Sequence, residues 1–310
     1  MTMNWNGVLP AITTPFGVDG DVDHALLARH AAWMLDAGCS GIVALGSLGE
    51  AATLSCTEKL AVLRTLVDAV GARAPVVAGI AALSTDEACG LAREAHALGC
   101  EGLMVLPPYV YSTDWREMRA HVAAVIDATP LPCMLYNNPI AYRTDFQPEH
   151  IVELAQRHEN LVAVKESSAD IRRIAALRHR LGSRMSLLVG VDDLIVEGVA
   201  AGATGWVAGL VNALPKESVR LFDLARAGQS INAAESTRAA VDALYRWFLP
   251  LLALDTVPKF VQLIKLVQAR AGWGHERVRA PRLALDGQER AQALAVIEQA
   301  LEHRPTAGRP

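Results

Sequence analysis

Leu161-Val162-Ala163-Val164-Lys165-Glu166-Ser167-Ser168 is a short apolar run that ends in an amine and a polar cluster. Its β-branched residues and polar boundary read as a buried strand. If that strand belongs to a parallel sheet covered by helices, its apolar residues face both ways and Lys165 marks its carboxyl end. Such ends are where α/β barrels place their chemistry. Burial disfavours the charged form of an amine, and a free amine attacks a carbonyl carbon. The plain alternative is a lysine whose head reaches water at a strand end.

On either side of this run, short apolar segments alternate with amphipathic ones, which implies βα units and a parallel sheet. The pattern predicts strands at residues 8–12, 42–45, 76–79, 103–106, 133–136, 162–165, 187–189 and 205–207. About eight such units close an α/β barrel. Helices are expected over 24–36 after Asp23, over 57–70 before Gly71, over 85–98 and over 114–128. After Gly228 the strand signal stops, and three helical stretches follow near 233–248, 256–271 and 287–303. The expected architecture is therefore α/β, a TIM (β/α)8 barrel with a C-terminal helical extension. Its catalytic barrel would span residues 1–228 and its helical region 229–310. A doubly wound open sheet competes, but the evenly repeated units carry neither GxGxxG nor a Walker-type GK[ST] sequence.

Of the 310 residues, 52% are hydrophobic and 20% charged, enough to build a large core. A net charge of -4 gives no electrostatic case for nucleic acid or membrane partners. Cys39, Cys56, Cys89, Cys100 and Cys133 are odd in number and form no CxxC pair, so neither a disulfide framework nor a zinc site follows. The nine histidines show no HExxH spacing. No secretory leader pattern or membrane-length apolar run is evident, so a cytoplasmic setting is expected.

Four segments fall at predicted strand ends, which a barrel would gather on one face. Gly46-Ser47-Leu48-Gly49-Glu50 lets backbone N–H groups converge on an anion, with Ser47 adding a hydroxyl, or else is only a tight turn. In Tyr136-Asn137-Asn138-Pro139, Tyr136 is a candidate proton relay or a satisfied tyrosine at the core's edge. The Lys165 segment is the third. Gly205-Trp206-Val207-Ala208-Gly209 is the fourth, with glycines that admit a ligand close to the backbone.

Together these segments resemble the dihydrodipicolinate synthase/N-acetylneuraminate lyase family of class I aldolases and lyases, over nearly the whole chain. The resemblance implies a homotetramer or homodimer, a Schiff base between Lys165 and a 2-oxo acid, and no metal or organic cofactor. It also implies Tyr136 as proton relay, Ser47 as relay partner and carboxylate donor, and Val207 lining the pocket through its backbone. Tyr109, in Pro107-Pro108-Tyr109, matches a tyrosine that in many members completes the relay from a neighbouring subunit.

Two positions depart from the family pattern. Leu48 stands where members commonly carry a second hydroxyl residue, leaving its backbone amide to help bind the carboxylate. Ile140 and Ala141 follow the tyrosine motif where the synthases place an arginine, and Arg143 comes later.

Further segments look like the 1-pyrroline-4-hydroxy-2-carboxylate deaminases of hydroxyproline catabolism. They are Tyr136 through Tyr142, Gly190-Val191-Asp192-Asp193, the Trp206 segment, Leu254-Asp255-Thr256 and Val278-Arg279-Ala280-Pro281-Arg282. That likeness implies a small cyclic imino acid substrate, opened by Lys165 and dehydrated, with ammonia and 2,5-dioxopentanoate released. The alternatives are another class I lyase of the family, namely 4-hydroxy-tetrahydrodipicolinate synthase, N-acetylneuraminate lyase or a 2-keto-3-deoxy sugar acid aldolase or dehydratase, and a non-catalytic sensor barrel binding a carboxylate. Asp192, Asp193 and Glu166 could be structural or participants.

Overall fold

A computed structural model describes residues 3–108 and 114–305. Its strands are β1 (Gly7–Pro10), β2 (Ile42–Ala44), β3 (Val76–Ile80), β4 (Gly102–Val105), β5 (Cys133–Asn137), β6 (Leu161–Glu166), β7 (Ser186–Val189) and β8 (Gly205–Ala208). All pairings are parallel, in the order β1-β8-β7-β6-β5-β4-β3-β2. The two ends of that order meet through a parallel bridge between Ala11 and Val43, and Ile12 N donates to Val43 O at 3.0 Å. This contact turns the sheet into a nearly closed barrel and removes the open doubly wound sheet from consideration. Every expected strand is present, within two residues at each end.

Apolar residues fill the strands because helices cover the outside and side chains fill the inside. Val43, Ala44, Leu103, Leu135, Val164 and Leu188 are all buried. Turn chemistry fixes where the surrounding helices begin. Asp23 accepts from Leu26 N at 2.9 Å ahead of helix His24–Asp36, and Asp114 accepts from Arg116 N ahead of helix Trp115–Asp127. The second helix starts at Cys56 rather than at residue 57, because Ser55 and Glu58 form a reciprocal capping box.

Beyond helix Pro215–Gly228 the chain packs back onto the barrel. Helix Glu235–Leu252 runs past residue 248 and leads into a 3-10 turn, Ala253–Thr256. The next helix starts only at Phe260, not at residue 256 as expected. Pro258 accounts for the delay: it disfavours helical backbone at Val257, which is extended with φ -113° and ψ 161°. Residues 261–268 of helix Phe260–Arg270 are all buried. Helix Gly287–Glu302 closes the described chain. Among the described residues, no helix is long and apolar enough to cross a membrane.

Candidate active site

β5 and β6 bring two of the expected residues together. Tyr136 and Lys165 are register partners, as are Asn137 and Glu166. Lys165 Nζ lies 4.3 Å from the centre of the Tyr136 ring, and both residues are buried. Tyr136 Oη accepts from Asn138 Nδ2 at 3.0 Å, while Asn138 Oδ1 caps the short helix Pro139–Tyr142 through Ala141 N. Below them, Asn137 Nδ2 donates to Glu166 Oε2 at 3.2 Å, and Ser168 N donates to Glu166 Oε1 at 2.7 Å. Burial raises the Glu166 carboxyl above its ordinary range despite these donors. Glu166 thus clamps the loops after β5 and β6, and with them Lys165 and Tyr136.

Gly190 gives the lysine its passage. A Cβ there would lie 2.0 Å from Ser167 Oγ and 2.6 Å from Lys165 Cε, so a larger residue would displace the amine's stem.

The turn after β2 faces this pair across the barrel. Ser47 is half-buried, and its Oγ hydrogen-bonds with Tyr142 Oη. The Tyr142 ring stands perpendicular to that of Tyr136, with centres 5.9 Å apart. Leu48 is buried in the core, so its side chain fills space and only its backbone is left for a ligand. Leu45 and Glu50 hold left-handed backbone, φ 59° and 55°, which costs a residue with a Cβ about 1–3 kcal/mol each.

Glu50 is held from helix Phe260–Arg270 and the loop that follows it. Its carboxylate accepts from Lys265 Nζ at 2.5 Å and from Arg279 N at 3.1 Å, with Arg282 Nη1 3.7 Å away. Lys265 also donates to the carbonyls of Thr14 and Arg277, each at 2.8 Å. The helical extension therefore fastens the Ser47 turn.

Near the ends of β7 and β8 lie two carboxyls, Asp192 buried and Asp255 half-buried with one sealed oxygen. Asp192 accepts from Trp206 Nε1 at 2.9 Å, from Gly209 N at 3.1 Å and from Leu210 N at 2.8 Å. Burial still pushes it up to about 6, while the nearby Lys165 charge pulls the other way. Asp255, in the 3-10 turn Ala253–Thr256, sits against Gly209. Burial first, then the Asp192 charge, raises its carboxyl well above the ordinary range. Val207 is buried on β8 beside Leu9.

The structure thus gathers Lys165, Tyr136, Ser47, Leu48 and Val207 at the carboxyl ends of the strands. Tyr109 lies outside the described residues. Arg143 is exposed at the end of the short helix, away from the position an arginine would need to take in the motif. The Tyr142 contact to Ser47 was not expected from the sequence, although a phenol immediately before Arg143 was a usable signal. Asp255 likewise had no role beyond its place in a motif.

No group of His, Cys, Asp or Glu able to hold a metal occurs among the described residues. His30 is buried beside the stacked pair Trp33 and Trp273, with burial lowering it to about 4, and is structural. Burial pushes the thiols of Cys39, Cys100 and Cys133 up to about 12, so these remain protonated.

Comparison with known proteins places this geometry. The Dihydrodipicolinate synthetase family profile matches residues 4–300. A 4-hydroxy-tetrahydrodipicolinate synthase from Xanthomonas axonopodis pv. citri is 37% identical over 303 residues, covering 97% of each chain. One from Pelobacter propionicus is 30% identical over 294 residues, covering 95% of this chain and 98% of the relative. Among solved structures, a pyruvate complex of the dihydrodipicolinate synthase from Acinetobacter baumannii superposes with a TM-score of 0.88 at 28% identity. It covers 96% of this chain and 99% of that one. Enzymes of this family are Schiff-base lyases that join a lysine covalently to the substrate and use no metal or other cofactor. With the match running from residue 4 to residue 300, the chain belongs to the dihydrodipicolinate synthetase family.

Proposed function

We propose that Lys165 is the Schiff-base lysine of this chain and that its substrate is a 2-oxo acid. The observation that carries this reading is Lys165 Nζ lying 4.3 Å over the Tyr136 ring, on adjacent strands at the barrel's carboxyl end. The Lys165 amine attacks the 2-oxo carbon, and loss of water leaves a ketimine. That ketimine is an electron sink, so a proton on the neighbouring carbon becomes acidic. Tyr136 moves it, held in place by Asn138 and linked across the site to Ser47 through Tyr142. Ser47 Oγ and the backbone of the turn that includes Leu48 bind the substrate carboxylate. The Val207 backbone forms the opposite wall.

The relatives at 30–37% identity bear the name 4-hydroxy-tetrahydrodipicolinate synthase, which makes condensation of pyruvate with an amino-aldehyde the first activity to assay. A second reading, the 1-pyrroline-4-hydroxy-2-carboxylate deaminase, is favoured by one local feature. Ala141 stands where a synthase arginine would hold the second carboxylate, and Tyr142 beside it is turned onto Ser47. Parallel assays separate the two. Consumption of pyruvate with aspartate semialdehyde supports the synthase, whereas ammonia release from the cyclic hydroxy-imine supports the deaminase. A homotetramer or homodimer belongs to the same proposal, and light scattering on the purified chain tests it.

A further inference from the structure

The mechanism above leaves Asp255 unused, and unlike Asp192 and Glu166 it receives no hydrogen bond on its buried oxygen. The residue as a whole is only half-buried, yet its Oδ1 is sealed from solvent and has no hydrogen-bond partner. A Cβ built on Gly209 would lie 2.2 Å from that oxygen and 2.8 Å from Oδ2, so a glycine at the end of β8 is what admits the carboxyl. Asp192 and Lys165 are both close enough to interact with it electrostatically.

The neighbouring carboxyl is differently placed. Asp192 takes donors from Trp206, Gly209 and Leu210, which stabilise its charged form. Two buried carboxyls side by side do not both ionise readily, and the one without donors keeps the proton. Asp255 therefore keeps one buried oxygen to which the protein gives no partner, a costly arrangement unless a ligand supplies one.

The site's layout says which ligand atom that is. With the substrate carboxylate at the Ser47 turn after β2 and carbon 2 at Lys165 on β6, Tyr136 and Tyr142 fill the β5 side. The rest of the substrate is left the side of β7 and β8, where Gly209 yields its Cβ position to the Asp255 carboxyl. We propose that Asp255 donates a proton to the oxygen on carbon 4 of the substrate bound to Lys165. This rests on the Schiff-base reading above.

The step balances for either reaction. In a condensation, the enamine pair forms the bond from carbon 3 to the aldehyde carbon, the carbonyl pair moves onto oxygen, and the Asp255 proton makes the hydroxyl. In an elimination, the carbon 3 proton passes to Tyr136 and its bonding pair becomes the new double bond. The carbon–oxygen pair then leaves with the hydroxyl, and the Asp255 proton makes water. In both, the carboxylate regains its proton from water before the next turnover.

Two readouts on Asp255→Asn test this. Exchange of pyruvate methyl protons in deuterated water reports ketimine and enamine formation alone, and the variant should keep it within about threefold of wild type. Turnover of the carbon-4 oxygenated substrate that wild type uses should fall about 100-fold. Asp255→Ser serves the same purpose if the amide variant does not fold. Unchanged turnover, or exchange and turnover falling together, would overturn the proposal. Absence of pyruvate exchange in wild type would instead strike the Schiff-base reading beneath it.

Discussion

Two buried charge clusters flank the mouth of this barrel, and they are built on opposite terms. Around Glu50, every charge is answered: Lys265 meets Glu50 and two carbonyls, and Arg279 N and Arg282 complete the carboxylate. Around Lys165, the account does not close. Asp255 Oδ1 has no partner, Asp192 is raised by burial in spite of its donors, and the amine sits over a phenol ring. A saturated cluster holds backbone in place, here the left-handed Glu50 and the Ser47 turn. An unsaturated one holds reactivity ready for a ligand.

Substitutions should pull these clusters apart, one toward stability and the other toward activity. Lys165→Ala should reduce turnover by about 10⁴-fold or more while leaving thermal unfolding near wild type. An unfolding midpoint that drops with it would place Lys165 in the structural cluster instead. Glu50→Gln strands a buried ammonium and should cost about 3–5 kcal/mol, measured by urea unfolding. Pairing it with Lys265→Met should recover most of that loss, since no unpaired charge then remains. Little change in the single variant would show that the ion pair is not what holds the turn.

Tyr136→Phe should lower turnover about 100-fold with the fold intact, as read by steady-state kinetics beside circular dichroism. Activity equal to wild type would remove the phenol from the proton path.

The smallest effect concerns pH. Arg279 beside Glu58, chiefly through its hydrogen bond, holds that carboxyl down to about 2 from an ordinary 4.5. The pair therefore contributes fully above about pH 4.5 and loses its contribution as pH falls toward 2, by at most about 1 kcal/mol for so exposed a pair. Asp192 has the opposite sign. Its raised value makes stability fall as pH rises from its ordinary 3.8 to about 6. Glu166 and Asp255, also raised by burial, act in the same direction, so Asp192→Asn should make that decline shallower, and an unchanged slope would assign it to those two carboxyls.

The sequence carried the barrel further than it carried the site. Strands such as Cys133–Asn137 and Leu161–Glu166 are continuous apolar runs, and Asp23 and Asp114 announce their helices locally. Where expectation and structure differ, nearby residues explain it: Ser55 caps a helix that starts at Cys56 rather than at the expected 57, and Pro258 delays a C-terminal helix to Phe260. Lys165, Tyr136 and Ser47 were legible because each closes a strand-like run. The Lys265–Glu50 pair spans 215 residues, and no local pattern links its members. The orphan oxygen of Asp255 is likewise a property of packing against Gly209, which spacing along the chain does not encode.

Borohydride reduction in the presence of pyruvate, followed by peptide mass mapping, tests the central claim most directly. The account predicts a stable mass increase of one reduced pyruvate adduct on the peptide containing Lys165, absent from Lys165→Ala. No adduct, or an adduct mapped to Lys265, Lys59 or another lysine, would contradict it.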